Sequence, residues 1–402
     1  MYNGWFLNFA MDLRDSYVKT PSGYSAKKAK AILNRYKGVE TTSKGDKPIV
    51  IGIMSESLCD FRVYENNFRP NQEVMPYWDS LHENVVKGYL ASSVYGGGTA
   101  DSEWEFLTGN SLSLFPTGTI VYQQHMRKPT QSLSRVLRSQ GYFTMATHPF
   151  APSGWNRTKA WPLLGFQKTT FEEDYTSPNL KKYRGFISDK SMYEYIIDQY
   201  EKRDQSKNWF LFGVTMQNHG GYLVPIKNKN VRLDGYATSY PSAEEYLTMV
   251  KHSDDALKTL IDYFKKQDKK VVLVIFGDHQ PGVEQEFLEE MHGKSFDTLE
   301  EQELKQQVPF LIWANYPIES QEGVHSSINY LSNLVADVAG FEKTPYQNFL
   351  EEMRQCIPAI NSMGYFSVAD NRWKSFGEKG TKEEEKWLKE YKILEYYDVF
   401  GK

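Results

Sequence analysis

Three glycines, Gly96-Gly97-Gly98, deliver the chain to Thr99, and Ala100-Asp101-Ser102-Glu103-Trp104-Glu105 follows at once. Glycines let a backbone come close to a ligand and take positive φ. A threonine at that junction stands where a helix begins, beside free N–H groups and the positive end of the macrodipole. Held near a divalent cation, its hydroxyl could attack a phosphorus or sulfur centre. The same residue also makes an ordinary N-cap, with Asp101 and Glu103 as favourable first-turn acids. Read alone, the segment favours the cap.

Four apolar runs each lead to a residue that can ligate a cation or move a proton. Pro48–Met54 leads to Glu56, Tyr142–Thr147 to His148, Trp209–Met216 to His219, and Val271–Phe276 to Asp278-His279. In open α/β sheets ligands bind just beyond the carboxyl ends of strands, so residues distant in sequence would meet on one rim. Adjacent oxygen and nitrogen ligands at Asp278-His279 suit a divalent cation, and Gly277 relieves crowding before them. Glu56 would be the third ligand and the Thr99 oxygen the fourth. Three oxygens and one imidazole, with no thiolate, point to Mn²⁺ or Mg²⁺ rather than structural zinc. Singly, Asp278 also reads as an Asx-type turn and Glu56 as a loop acid. Trp155-Asn156-Arg157 follows His148. The guanidinium could grip a phosphate with two N–H groups and the indole offers a flat wall, although an arginine packed on a surface aromatic has the same sequence. His219, followed by Gly220-Gly221-Tyr222, could donate to a phosphate or protonate a leaving alkoxide.

These residues need a frame, and the alternation of the chain supplies one. Candidate strands are Pro48–Met54, Tyr142–Thr147, Trp209–Met216, Val271–Phe276 and Val308–Trp313. Helical periodicity falls at 101–108, 131–139, 190–203, 242–267, 284–292 and 326–338. Strand–helix alternation predicts an α/β fold with a mostly parallel central sheet flanked by helices. The runs near 209–216 and 271–276 do not alternate, as strands buried on both faces should not. Residues 1–47 read as an N-terminal segment: an aromatic stretch Tyr2–Met11, a basic helix over 24–36 and a polar linker Thr41–Lys47. Residues 48–345 read as the catalytic domain, and 346–402 as a small α+β appendage ending in an amphipathic helix. At 402 residues the chain has room for one large domain or a large and a small one.

Composition narrows the partners. The net charge of −4 gives no electrostatic footprint for nucleic acid. Aromatic residues make up 15%, which suits sugar or headgroup surfaces but suits a packed core better. Cys59 and Cys356 match no zinc or redox spacing. No segment approaches the roughly 18 apolar residues of a membrane span, and Met1 is not followed by a signal-peptide pattern.

The order Glu56, Gly96-Gly97-Gly98-Thr99-Ala100-Asp101-Ser102-Glu103, His148 with Trp155-Asn156-Arg157, Asn218-His219 and Gly277-Asp278-His279 resembles the lipoteichoic acid synthase family. That family is the phosphoglycerol transferase branch of the alkaline phosphatase and sulfatase superfamily. The match runs from about the first strand to about residue 340, and both ends of the chain also look like its members. The resemblance implies an alkaline phosphatase/sulfatase-like fold and Thr99 as nucleophile. It implies one Mn²⁺ or Mg²⁺ on Glu56, Thr99, Asp278 and His279, and a glycerol-phosphate pocket of His148, Trp155, Arg157 and His219. It further implies a phosphatidylglycerol-type donor, a teichoic-acid or surface-polysaccharide acceptor, and a cell-membrane protein whose catalytic domain is extracellular. The N-terminal transmembrane helices would then lie outside this sequence, with Trp5-Phe6-Leu7 leading from the last span.

Two features depart from the pattern. Phe150 stands where the lipoteichoic acid synthases have an acidic residue, which argues against polyglycerol-phosphate extension. The ending Tyr391–Asp398 resembles broader sulfatase-like relatives, some of which decorate other surface polysaccharides. Sulfatase chemistry itself lacks its cysteine/serine-x-proline-x-arginine context around Thr99. The alternatives are a phosphodiesterase or phosphatase with water as acceptor, and, in another class, a non-catalytic glycan- or lipid-binding domain.

Overall fold

The strands Ile49–Ser55, Asn208–Val214, Val271–Gly277 and Gln307–Ala314 carry apolar side chains on both faces, so the sheet they form must be covered twice. The computed structural model describes residues 18–38, 47–64, 68–223 and 230–401. The aromatic stretch Tyr2–Met11 and residues 41–46 of the expected linker lie outside these. The strands, in chain order, are β1 (Ile49–Ser55), β2 (Val85–Ala91), β3 (Tyr142–Thr147), β4 (Lys168–Thr170), β5 (Lys182–Tyr183) and β6 (Phe186–Ile187). There follow β7 (Asn208–Val214), β8 (Val271–Gly277), β9 (Gln307–Ala314), β10 (Gln321–Ser327), β11 (Gly364–Ser367) and β12 (Arg372–Ser375). Eight form one sheet in the order β10-β2-β9-β8-β1-β7-β3-β4. All its pairings are parallel except those of β9 with β2 and β8. Seven strands therefore end on the same edge. The fold is the mostly parallel, helix-flanked α/β architecture expected from the sequence.

The period of two sorts the strand residues between two cores. Ile49, Ile51 and Ile53 of β1 join Leu273, Ile275, Leu311 and Trp313 on one face, against the long helix Pro241–Phe264. Val50 and Met54 join Val274, Phe276, Phe310 and Ile312 on the other, against the helices Thr99–Thr108 and Ile328–Ala339. Gly52 faces this second core, where an added Cβ would meet the Phe106 and Phe212 rings.

The sequence reading misplaced or missed several elements. β7 ends at Val214, so Thr215 and Met216 have already left the sheet. Helix 326–338 begins at Ile328, because Ser326 and Ser327 close β10. β2 and β10 were not expected. β2 carries Lys87, Gly88 and Tyr89 mid-strand, and β10 reads Gln-Glu-Gly-Val-His-Ser-Ser, so neither shows an apolar run. They pair because Gly88 has no side chain: a Cβ there would lie 1.9 Å from the Val324 carbonyl oxygen.

The C-terminal region forms a third core. The helices Ala26–Asn34, Pro345–Cys356 and Lys382–Phe400 pack around Phe349, Tyr365, Trp387 and Tyr391, beside the antiparallel β11–β12 pair. The last helix is less two-sided than expected. Ile393, Leu394 and Glu395 are all buried in succession, which requires neighbours on more than one side. Both cysteines are free thiols. No helix of the described residues is long and apolar enough to cross a membrane.

Two buried carboxyls, Glu105 and Glu395, lie where this appendage meets the end of the Thr99–Thr108 helix. Glu105 accepts hydrogen bonds from Ser93 Oγ (2.6 Å) and Leu112 N (2.8 Å). Glu395 accepts from Ser111 N, and its second oxygen has no partner. Burial pushes both up to about 8, and Glu105 adds to the rise at Glu395. The folded state therefore holds protons that unfolded glutamate releases near its ordinary 4.5. This contribution is fully present below that pH and is lost as pH rises through about 8. Stability should accordingly fall between pH 5 and 8, at up to about 1.4 kcal/mol per pH unit for each proton involved, and the melting temperature with it. Glu395→Gln should flatten that fall, and an unchanged slope would remove these carboxyls as its cause.

Candidate active site and metal centre

The strand ends bring their side chains together because β1 lies between β8 and β7. Ser55 of β1 pairs with Gly277 of β8, so Glu56 and Asp278 leave the sheet side by side. Gly277 is needed here: a Cβ would lie 2.1 Å from the Leu58 carbonyl oxygen. β2 leads through Ser92 and Ser93 to the glycine run, where Gly98 takes φ 93° and Thr99 opens the helix. Thr99 is thus the first helical residue and Gly98 the cap. The hydroxyl turns away from the helix and donates to Glu56 Oε2 at 3.3 Å.

Glu56, Asp278 and His279 are all buried, with one candidate ligand atom from each inside a 4.8 Å cluster. Their orientations are fixed from behind. Asp278 Oδ1 accepts from Ser57 N (2.7 Å) and His279 N (2.9 Å), and the Asp278 carbonyl accepts from Ser92 and Ser102 hydroxyls, both at 2.7 Å. Glu56 Oε1 accepts from Ser57 Oγ (3.0 Å). His279 Nδ1 donates to the Gln280 carbonyl at 2.9 Å, which leaves its Nε2 as a lone pair.

This lone pair faces Asp278 Oδ2 at 3.2 Å and Glu56 Oε1 at 3.7 Å. Asp278 Oδ2 and His279 Nε2 are buried without a hydrogen-bond partner. Burial pushes the Asp278 carboxyl up to about 6, with the Glu56 charge adding to the rise. Burial lowers the His279 pKa, but Asp278 and Glu56 outweigh it and raise it. With the ring neutral, electron pairs converge here, and a divalent cation would satisfy all of them at once. The donor set fits the metal expected from the sequence.

His148 and His219 occupy the same edge. His148 Nδ1 donates to the Val214 carbonyl at 3.0 Å, so its Nε2 is an acceptor. Burial, reinforced by Arg157, holds its pKa well below the usual histidine range. It is therefore a neutral ring suited to receive a substrate hydroxyl. Burial also lowers the His219 pKa, with His279 and Arg184 adding to the effect against a bond to Gly220. Arg157 is not the free fork anticipated for it. Its Nε and Nη2 are taken by Glu103 Oε1, with Nε at 2.9 Å, and Trp161 Nε1 donates to the other Glu103 oxygen at 3.1 Å. The pair is almost wholly buried. Trp155 packs at the edge of the second core with φ 54°, and Asn156 follows at φ 60°.

Sequence reasoning missed Ser57, Thr215 and Arg184. Thr215 Oγ1 accepts from Glu56 N at 3.0 Å. Arg184 Nη2 donates to the carbonyls of Gln217 (3.0 Å) and His219 (2.7 Å), and its guanidinium lies 4.9 Å from the Tyr222 ring. It holds the turn that presents His219. Backbone strain would have pointed to it. Of the six non-glycine residues with positive φ among the described residues, Ser57, Trp155, Asn156 and Arg184 all border this edge. Phe150, 36% exposed, rests against His148 and Phe186, and Phe186 against His219, with ring centroids 5.2–6.2 Å apart.

A family model described as Sulfatase matches residues 48–341, and the chain belongs to the sulfatase family. Over its whole length the chain is 31% identical to a Rhizobium meliloti protein whose name assigns it, provisionally, to cyclic beta-1,2-glucan modification. It spans 62% of that protein's length, and 42% and 52% of two further curated relatives. Among solved structures, it is similar to the Streptococcus pyogenes phosphoglycerol transferase GacH in complex with sn-glycerol-1-phosphate. The TM-score is 0.78 at 20% identity, covering 96% of each chain. The lipoteichoic acid synthase LtaP from Listeria monocytogenes gives a TM-score of 0.66 at 19% identity, covering 93% of this chain and 98% of that one. These neighbours show the alkaline phosphatase-like fold.

Two measurements test the geometry. Mn²⁺ should raise the melting temperature of the chelator-treated protein, and Asp278→Asn should abolish that rise; an equal rise in the variant would remove Asp278 from the ligand set. Arg157→Ala should destabilise the fold by about 3–5 kcal/mol, because it strands Glu103 as a buried charge. Arg157→Ala with Glu103→Gln should recover much of the loss in denaturant titration.

Proposed function

We propose that this chain is the catalytic domain of a phosphoglycerol transferase. The Thr99 hydroxyl takes glycerol phosphate from a phosphatidylglycerol-type lipid and passes it to a cell-envelope polymer or glycan. The observation that carries this reading is the hydroxyl of Thr99 bonded to Glu56 beside the buried Glu56–Asp278–His279 cluster. The N-terminal end of the Thr99–Thr108 helix, with the positive end of its dipole, favours an anion there. Mn²⁺ or Mg²⁺ held by Glu56, Thr99, Asp278 and His279 would lower the hydroxyl's pKa and neutralise charge on the phosphoryl oxygens.

In the first half-reaction Thr99 Oγ1 loses its proton and bonds to phosphorus, while the bond from phosphorus to the diacylglycerol oxygen breaks. His219 carries the proton given up by Thr99 to the leaving alkoxide, and in the second half-reaction carries the proton of the acceptor hydroxyl back to Thr99. That hydroxyl then displaces Thr99, which regains its proton. His148 Nε2 accepts from a glycerol hydroxyl, Trp155 walls the pocket, and Arg157 contributes positive charge already balanced by Glu103. The Phe150–Phe186 surface beside this pocket supports a sugar acceptor, whose C–H faces pack on aromatic rings. The similarity to a glucan-modification protein supports the same choice. In this reading residues 1–47 lead from a membrane anchor, 48–345 catalyse, and 346–402 form the appendage, with the whole domain outside the cell.

Incubation with phosphatidylglycerol should add one glycerol-phosphate mass to Thr99, seen by mass spectrometry. Thr99→Ala should lose the adduct and turnover while melting normally. Diacylglycerol release by Thr99→Ala at the parental rate would exclude covalent catalysis there. Donor cleavage should greatly exceed extension of a polyglycerol-phosphate primer, because Phe150 offers the second glycerol no polar partner. Efficient primer extension would refute that role of Phe150.

A further inference from the structure

The stretch Val18–Gly38 carries Lys19, Lys27, Lys28, Lys30, Arg35 and Lys37 and no acidic residue. Arg35 is paired with Glu390. Lys27, Lys30 and Lys37 are exposed and make no ion pair among the described residues. Lys30, Leu33 and Asn34 share one face of the helix Ala26–Asn34 at i, i+3 and i+4, and Lys37 stands in the turn beyond it. That face borders a groove of about 600 Å³, walled by Leu33, Tyr346, Leu394 and Tyr397 and flanked by Lys30 and Lys37. Asp398 also lines it, with its two oxygens accepting from Asn110 Nδ2 (2.8 Å) and Gln131 N (3.2 Å). Its carboxylate is thus turned to donors in the protein.

An apolar trough beside two unpaired ammonium groups is complementary to an anionic amphiphile. We infer that this groove binds a phospholipid of an anionic membrane. One acyl chain lies between the helices Ala26–Asn34, Pro345–Cys356 and Lys382–Phe400, and the phosphate sits on Lys30 and Lys37. The site is distinct from the reaction centre. Its Asp398 wall meets Asn110, just past the C-terminal end of the Thr99–Thr108 helix, so the length of that helix, about 15 Å, separates it from Thr99. Lipid bound here would fix the distance and tilt of the catalytic edge relative to the bilayer.

Sedimentation of the full chain with phosphatidylcholine vesicles, with and without phosphatidylserine, tests this. Phosphatidylserine carries no glycerol headgroup to transfer, so the result is independent of the proposed reaction. Binding should require phosphatidylserine and weaken with salt. Lys30→Gln with Lys37→Gln should weaken it about 30-fold. Leu33→Gln, which changes no charge, should weaken it about tenfold. Lys265→Gln with Lys266→Gln, a charge-matched change at exposed residues elsewhere, should leave it unaltered. Melting curves establish that each variant is folded. Absence of binding, an equal loss in the Lys265/Lys266 variant, or full binding by Leu33→Gln would each overturn the lipid groove.

Discussion

The arrangement of the catalytic edge depends on one electrostatic constraint. Two carboxylates and an imidazole lone pair are held together in a buried place, with Asp278 Oδ2 and His279 Nε2 lacking any hydrogen-bond partner. Such a cluster is costly without a cation. The surrounding architecture keeps it from relaxing. Backbone N–H groups of Ser57 and His279 hold one Asp278 oxygen, and two serine hydroxyls hold its carbonyl. The Gln280 carbonyl fixes the histidine tautomer. A metal meeting these ligands finds them already oriented, which is how outer contacts tune a site.

The same economy of charge runs through the rest of the edge. Arg157 and Glu103 neutralise one another in the interior, so the helix that opens at Thr99 also carries the partner of Arg157. Arg184 has no carboxylate partner in its hydrogen bonds and instead uses its charge on two carbonyls and the Tyr222 ring. His148 is kept neutral by burial. The charge of Arg157 is thus matched by Glu103, that of Arg184 is directed at carbonyls, and that of His148 is suppressed by burial.

Most of the frame was legible in the sequence because it rests on local pattern. Strands such as Val271–Gly277 and Asn208–Val214 are continuous apolar runs, and Pro241–Phe264 has unbroken helical periodicity. β2 and β10 escaped because their pairing depends on Gly88 meeting the Val324 backbone, a long-range contact without periodicity. The candidate ligands were legible because Glu56 and Asp278-His279 directly follow apolar strands and Thr99 directly follows a glycine run at a helix start. Arg184 was not, since it sits in a short hairpin between β5 and β6 and acts through carbonyls of a different loop.

The sequence by itself determined the parallel α/β class, the convergence of Glu56, Thr99, Asp278 and His279, and the pocket candidates around His148 and His219. The alternation of strands and helices along the chain, hydrophobic period and residue chemistry are local properties, and they suffice for that. Only the tertiary structure decided what each polar group faces. It put Arg157 against Glu103, turned the Thr99 hydroxyl to Glu56, and set Phe150 beside Phe186. A side chain's charge is written in its type, but whether that charge is free or already matched depends on neighbours from distant parts of the chain.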